Sequence, residues 1–276
     1  MKIILSRKGI DSTSGLPRYG LRWSPILTDG RLMSLPIYRK SEVTCYEDLV
    51  LDRNRTYLDL IHQLGYAYPI RTPCHPDPDL YRLVMGRRRG WRPISGHNVP
   101  ESTHLDNQGV GPGDLFLYFG LFRPTRDDQD DRLPFVGHER HIIFGYLQVD
   151  KVISVGPATR LLQWMASHPH SSPKARRDTG NVIYVSRTTT TWNPKLPGAG
   201  VFLHSRALEL TARGHTKRVW ELPGCFRTAT ISYHSPSSWR GGLFYSACRG
   251  QEFVVQDHTG VGNWARRLID QSARLP

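Results

Sequence analysis

Gly109-Val110-Gly111-Pro112-Gly113-Asp114-Leu115-Phe116-Leu117-Tyr118-Phe119, followed after a charged insertion by His141-Ile142-Ile143-Phe144-Gly145-Tyr146-Leu147-Gln148-Val149, decides the fold. A turn of three glycines and a proline feeds an apolar run. A second apolar run returns with a glycine at its centre. Aromatic, β-branched and leucine residues bounded by Gly, Pro and Asp read as buried strands. Joined by a polar loop, the two runs make a hairpin, and Gly145 marks a bulge or tight bend in it. Small, strongly bent β-barrels are built this way. The acidic tract Asp127-Asp128-Gln129-Asp130-Asp131 reads as a solvated loop tip and is assigned no site.

The same punctuation extends outward. Residues 2–5 read as a strand. Asp29-Gly30 reads as a hairpin turn between Ile26-Leu27 and Leu32-Met33. Residues 46–64 carry a helical pattern with Gly65 as its stop. Short helices are expected in 97–108 and 158–167, and a C-terminal helix in 262–274. Val182–Val185 and Phe253–Val255 read as strands. The expectation is an α+β fold. It is a single domain over residues 1–276, built on a bent, mostly antiparallel β-barrel with peripheral helices and long loops. Its barrel core spans roughly residues 109–202 plus the N-terminal strands.

Composition bounds the partners. The 276 residues are 38% hydrophobic, enough to bury a core. Twenty-five glycines and 20 prolines favour many turns and short strands. Thirty-seven Lys and Arg against 24 Asp and Glu leave a net charge of +13, which favours a polyanionic partner such as DNA. No apolar run is long enough to span a membrane, so no membrane partner is expected. Cys45, Cys74, Cys225 and Cys248 are scattered without a Cys-x-x-Cys pair, as befits reduced thiols in a cytoplasmic protein.

Several segments carry groups with chemistry. Ser6-Arg7-Lys8-Gly9-Ile10-Asp11 puts two cations, a hydroxyl and a carboxylate just after a strand. It is either a phosphate-holding turn or an ordinary polar one. His75, Asp77 and Asp79 sit at alternate positions. An extended loop would align them for metal binding or acid–base work; alternatively, Asp79 caps a helix starting at Leu80. Arg87-Arg88-Arg89-Gly90-Trp91-Arg92 combines phosphate-pairing charge with a stacking ring. His168-Pro169-His170 lacks a third ligand at a recognisable spacing, so no metal residues are assigned, although either histidine can act as a base. Gln251-Glu252 offers an amide and a carboxylate for a base edge. No nucleotide-cofactor fingerprint is present, and the cofactor is left unknown.

Long stretches in order carry a resemblance. They include Met1 to Ser12, Asp77-Pro78-Asp79-Leu80-Tyr81, Leu105 to Gly120, His141 to Val149, His168-Pro169-His170 with Asn181-Val182-Ile183-Tyr184, and Trp220-Glu221-Leu222-Pro223. In these the chain resembles the third nucleotide modification associated domain family, whose members are described as DNA base hypermodification proteins. Its two barrel strands also resemble those of PUA-like modules (ASCH and EVE), which bind modified bases in a pocket. The chain departs from the family at Ile94-Ser95-Gly96-His97. The resemblance implies DNA base modification in a phage or bacterial-defence setting. The expected activity is hydrolysis, hydration or conjugation of a substituent on a modified base, with other base-modification enzymes as further partners. The alternatives are a non-catalytic base reader and a recruiting scaffold. On the enzyme reading, Lys8, Asp11, Asp77 and Asp79 converge with His141 or His168. Arg7, Arg87, Arg88, Arg89, Trp91 and Arg92 hold the DNA strand. Tyr118, Phe119, Trp220 and Gln251 line the base pocket.

Overall fold

A computed structural model describes residues 1–10, 19–247 and 252–272. Eight strands form its main sheet: β1 (Ile3–Arg7), β2 (Ser24–Ile26), β3 (Ile94–His97), β4 (Leu115–Pro124), β5 (Arg140–Ser154), β6 (Val182–Ser186), β7 (Ala199–Val201) and β8 (Glu252–Val255). The order is β8-β1-β4-β5-β6-β3, with β2 added to β4 and β7 to β5. The β4–β5 hairpin is the expected one, with longer strands. It is buried because both faces of the sheet are covered, which is why its sequence runs apolar rather than alternating. Beside Gly145 the register steps from Tyr118–Gly145 to Phe119–Ile143, a bulge where the glycine marked one. A Cβ at Gly145 would lie 2.7 Å from Leu80 Cδ1 and 2.8 Å from the Gly200 carbonyl.

The expected barrel does not form. Among the described residues the edge strands β8 and β3 share no backbone ladder, and the sheet is open and mixed. β1 lies parallel to β4 and antiparallel to β8, and β2 lies parallel to β4. A barrel needs one continuous staggered ladder. Here four-residue strands end the sheet on both sides. The two edges meet through side chains instead, with His97 Nδ1 of β3 lying 3.3 Å from Glu252 Oε1 of β8.

The described residues contain three α-helices: α1 (Tyr57–Gln63), α2 (Glu101–Asn107) and α3 (Thr259–Ser272). The long helix expected over 46–64 shrinks to α1. The Thr56 and Asp59 side chains close a capping box that starts the helix there, and Gly65, at φ +88°, follows its end. Residues 158–167 hold only a 3₁₀ turn, Gln163–Met165. The Asp29-Gly30 hairpin is present, with Ile26 bridging Leu32 and Gly30 at φ +85°. One apolar core covers the main sheet, and a second surrounds α1. Among the described residues no helix is long and apolar enough to cross a membrane.

Candidate functional site

Strand pairing builds the site. Ser6 of β1 pairs with Tyr118 on one side and Glu252 on the other, so these three side chains share one face of the sheet. Lys8 extends that face, because its N–H still bonds the Phe119 carbonyl at 2.8 Å. From the other edge, His97 stacks on Phe116 and meets Tyr184 edge-on. The segment leaving the short strand Cys74–His75 carries Asp77, the 3₁₀ turn Pro169–Ser171 carries His170, and both cover this face.

Asp77 is the hub. Its side chain is 3% exposed. Oδ2 accepts from Lys8 Nζ at 2.7 Å, and Oδ1 accepts from the Gly96 N–H at 2.7 Å. Lys8 Nζ also donates to the Gly96 carbonyl at 3.1 Å. His168 Nε2 lies 3.3 Å from Asp77 Oδ1, within ion-pair distance but off the line of a hydrogen bond. The His170 ring lies directly over Gly96, where any Cβ would collide with it. His170 Nδ1 bonds Asn181 Oδ1 at 2.7 Å. The Asn181 amide group itself donates to the carbonyls of His170 and Ala175. His75 Nδ1 bonds Glu42 Oε1 at 3.0 Å. A ligand-capable atom on each of His75, Asp77 and His170 lies within 4.8 Å of the other two, so these residues could hold a metal.

The charges support one another. Burial opposes ionisation of Asp77, but the Lys8 ammonium, with help from His168, outweighs it and holds the carboxyl well below the ordinary carboxylate range. Burial likewise opposes the Lys8 charge, while Asp77 and Glu252 carry its titration above the usual lysine value. Glu252 is kept ionised against burial by His97, Lys8 and Ser6. Burial pushes His75 and His170 down, so both are neutral near neutral pH. The centre therefore offers a charged donor, two carboxylates and neutral imidazoles within one water-poor space. That set can move protons, polarise an oxygen or hold a cation.

The predicted residues divide. Lys8, Asp77 and His168 come together, with Tyr118 on the same face. Asp11 and Gln251 lie outside the described residues. Asp79 caps no α-helix. It forms a buried ion pair with Arg87, accepts from the Trp91 indole at 3.2 Å, and exchanges backbone bonds with Ile94. His141 lies on the opposite face with Phe119 and Trp220, both fully buried in the apolar core. The basic run splits. Arg87 stacks on Trp91 and Arg92 pairs with Asp150 at 2.9 Å, while Arg88 and Arg89 are exposed. Arg7 is half-buried. No local pattern marks Glu42, His97 or Asn181 as site residues, and Glu252 reads only as a base-edge group. Gly96 was the available signal, because a glycine inside a strand marks a close approach.

A family model described as nucleotide modification associated domain 3 matches residues 2–256, and the chain belongs to that family. No curated protein and no solved structure matches it.

Proposed function

Taking that family membership as the premise, we propose that the protein is an enzyme that alters a base in DNA, with the Asp77 centre as its active site. The carrying observation is the convergence of Lys8, Asp77, His168 and His170, from three separate segments, in one buried cluster. Buried charge on this scale is expensive and stabilises a fold poorly. A module that only stacks a neutral base beside a polyanion gains nothing from ionised Asp77 and Glu252. The reaction class this reading supports is hydrolysis, hydration or conjugation at a base substituent. Lys8 and the His168 N–H serve as donors that polarise the reacting group, and Asp77 holds both in place.

The net charge of +13 suits a DNA partner. The test is nucleoside mass spectrometry of DNA from cells with and without the protein. A nucleoside whose abundance depends on the protein supports an enzyme. Identical composition, with binding to the same DNA retained, marks a reader, and a protein-dependent nucleoside that persists in Asp77→Asn marks a recruiting scaffold; either outcome removes the proposal.

A further inference from the structure

We propose that His75, Asp77 and His170 form a binding site for one divalent first-row transition-metal ion, with Glu42 and Asn181 as the outer groups that orient the two imidazoles. The proposal deepens the active-site reading above, since it shares Asp77 with it.

The tautomers carry the argument. Asn181 spends its N–H₂ group on two carbonyls, so its oxygen accepts, and His170 must carry its proton on Nδ1. The Glu42 carboxylate only accepts, so His75 also carries its proton on Nδ1. Arg39 Nη1 lies 3.5 Å from that same nitrogen, but a protonated Nδ1 cannot accept from it; the 3.0 Å bond to Glu42 sets the tautomer. On both rings the lone pair is left on Nε2, and neither Nε2 has a hydrogen bond among the described residues. A carboxylate or amide oxygen on Nδ1 with a bare Nε2 is the usual outer arrangement of a metal-binding histidine.

His168 is built the other way. Its Nδ1 accepts from the His170 N–H at 3.3 Å, so its proton sits on Nε2 beside Asp77, and this ring is a donor rather than a ligand. That Nε2 is buried, in a side chain 1% exposed, and makes no hydrogen bond within the chain. Asp77 accepts two hydrogen bonds and a carboxylate has about four acceptor positions, so it retains a lone pair for a cation. Gly96 allows the arrangement, since only a glycine leaves room for the His170 ring.

Two imidazoles and one carboxylate suit Zn²⁺ with an open position, or Fe²⁺ in a facial set. Both ions share this ligand chemistry, and the experiment separates them. The full chain is stripped with a chelator and titrated with Zn²⁺, with Co²⁺ and, without oxygen, with Fe²⁺, in each case without DNA. One equivalent should bind, and elemental analysis of the chain as purified, before stripping, identifies the ion. His75→Ala and His170→Ala should each weaken binding by at least ~10²-fold. Glu42→Gln should weaken it by ~10–100-fold without changing the melting temperature of the metal-free chain. Should the histidine variants fail to fold, NMR of the Co²⁺-loaded native chain decides: one strongly shifted imidazole N–H is expected from each of the two rings. Binding of no ion at one equivalent, unchanged affinity in the folded variants, or no shifted N–H signal would overturn the proposal. Because DNA is absent throughout, such a failure leaves the base-modification reading standing, and failure of that reading leaves this site intact.

Discussion

Tyr118 and Phe119 are consecutive in β4, and strand alternation sends them to opposite faces. The Tyr118 face gathers Ser6, Lys8, Asp77, His97 and Glu252. The Phe119 face gathers Phe253, Trp220 and His141, ring against ring. The same strands therefore support two environments about one side chain apart. On the core face the pattern is what burial alone favours. On the other, charges are held where burial disfavours them, and they persist because each has a partner. A fold selected only for stability has no use for the second face.

The first way to break this contrast is to damage the core face. Trp220→Ala should lower stability by about 3–5 kcal/mol, since the ring is fully buried among Phe119, Phe244 and Phe253. Urea unfolding measures it, and a loss under about 1 kcal/mol would mean that this face is not the core.

Gly96→Ala sharpens the contrast from the polar side. The new methyl collides with the His170 ring and should cost about 1–3 kcal/mol through overpacking. The centre itself should be disrupted, which imidazole NMR would register as a changed His170 signal. An unchanged His170 environment would contradict the close packing described.

A smaller effect concerns pH. His234 packs on Phe244 and Phe253, donates from Nδ1 to the Ser232 carbonyl and accepts the Ala247 N–H on Nε2. Both bonds require the neutral ring, and burial lowers its pKa below the ordinary histidine value. The unfolded chain therefore takes up this proton first on acidification. The contribution is fully present above the ordinary value, near pH 6.5, and is lost as pH falls toward the folded-state value. The melting temperature should fall between about pH 7 and about pH 5, and less steeply in His234→Gln. Equal slopes would exclude His234 as a source of the pH dependence.

The smallest expected change is in DNA affinity. Arg88→Ala with Arg89→Ala removes the exposed part of the basic run. The salt dependence of DNA binding should flatten by about one unit of slope per lost phosphate contact. An unaltered slope would place the DNA contact elsewhere.

The hairpin was legible because apolar runs between Gly-rich turns announce buried strands wherever they occur. Its closure into a barrel was not, because ladder topology depends on β1 entering between β4 and β8, which no local pattern encodes. The start of α1 was written in Thr56 and Asp59, yet the apolar pattern upstream of them masked it. The centre was half legible. His168-x-His170 looked short of a third ligand and His75 and Asp77 were grouped with Asp79, whereas the fold brings the two segments against each other. Asp79 resembled Asp77 by spacing, but Arg87, eight residues on, neutralises it. Glu42, His97 and Asn181 had no local signature at all; only tertiary contacts give them roles.

The most direct measurement compares DNA nucleosides from cells making the native chain, Asp77→Asn, or the core-face variant Phe253→Leu. If the polar face is the catalytic centre, Asp77→Asn abolishes the protein-dependent nucleoside at equal protein level. Phe253→Leu, in contrast, lowers only the melting temperature and keeps the product. A native-level product from Asp77→Asn would contradict that account.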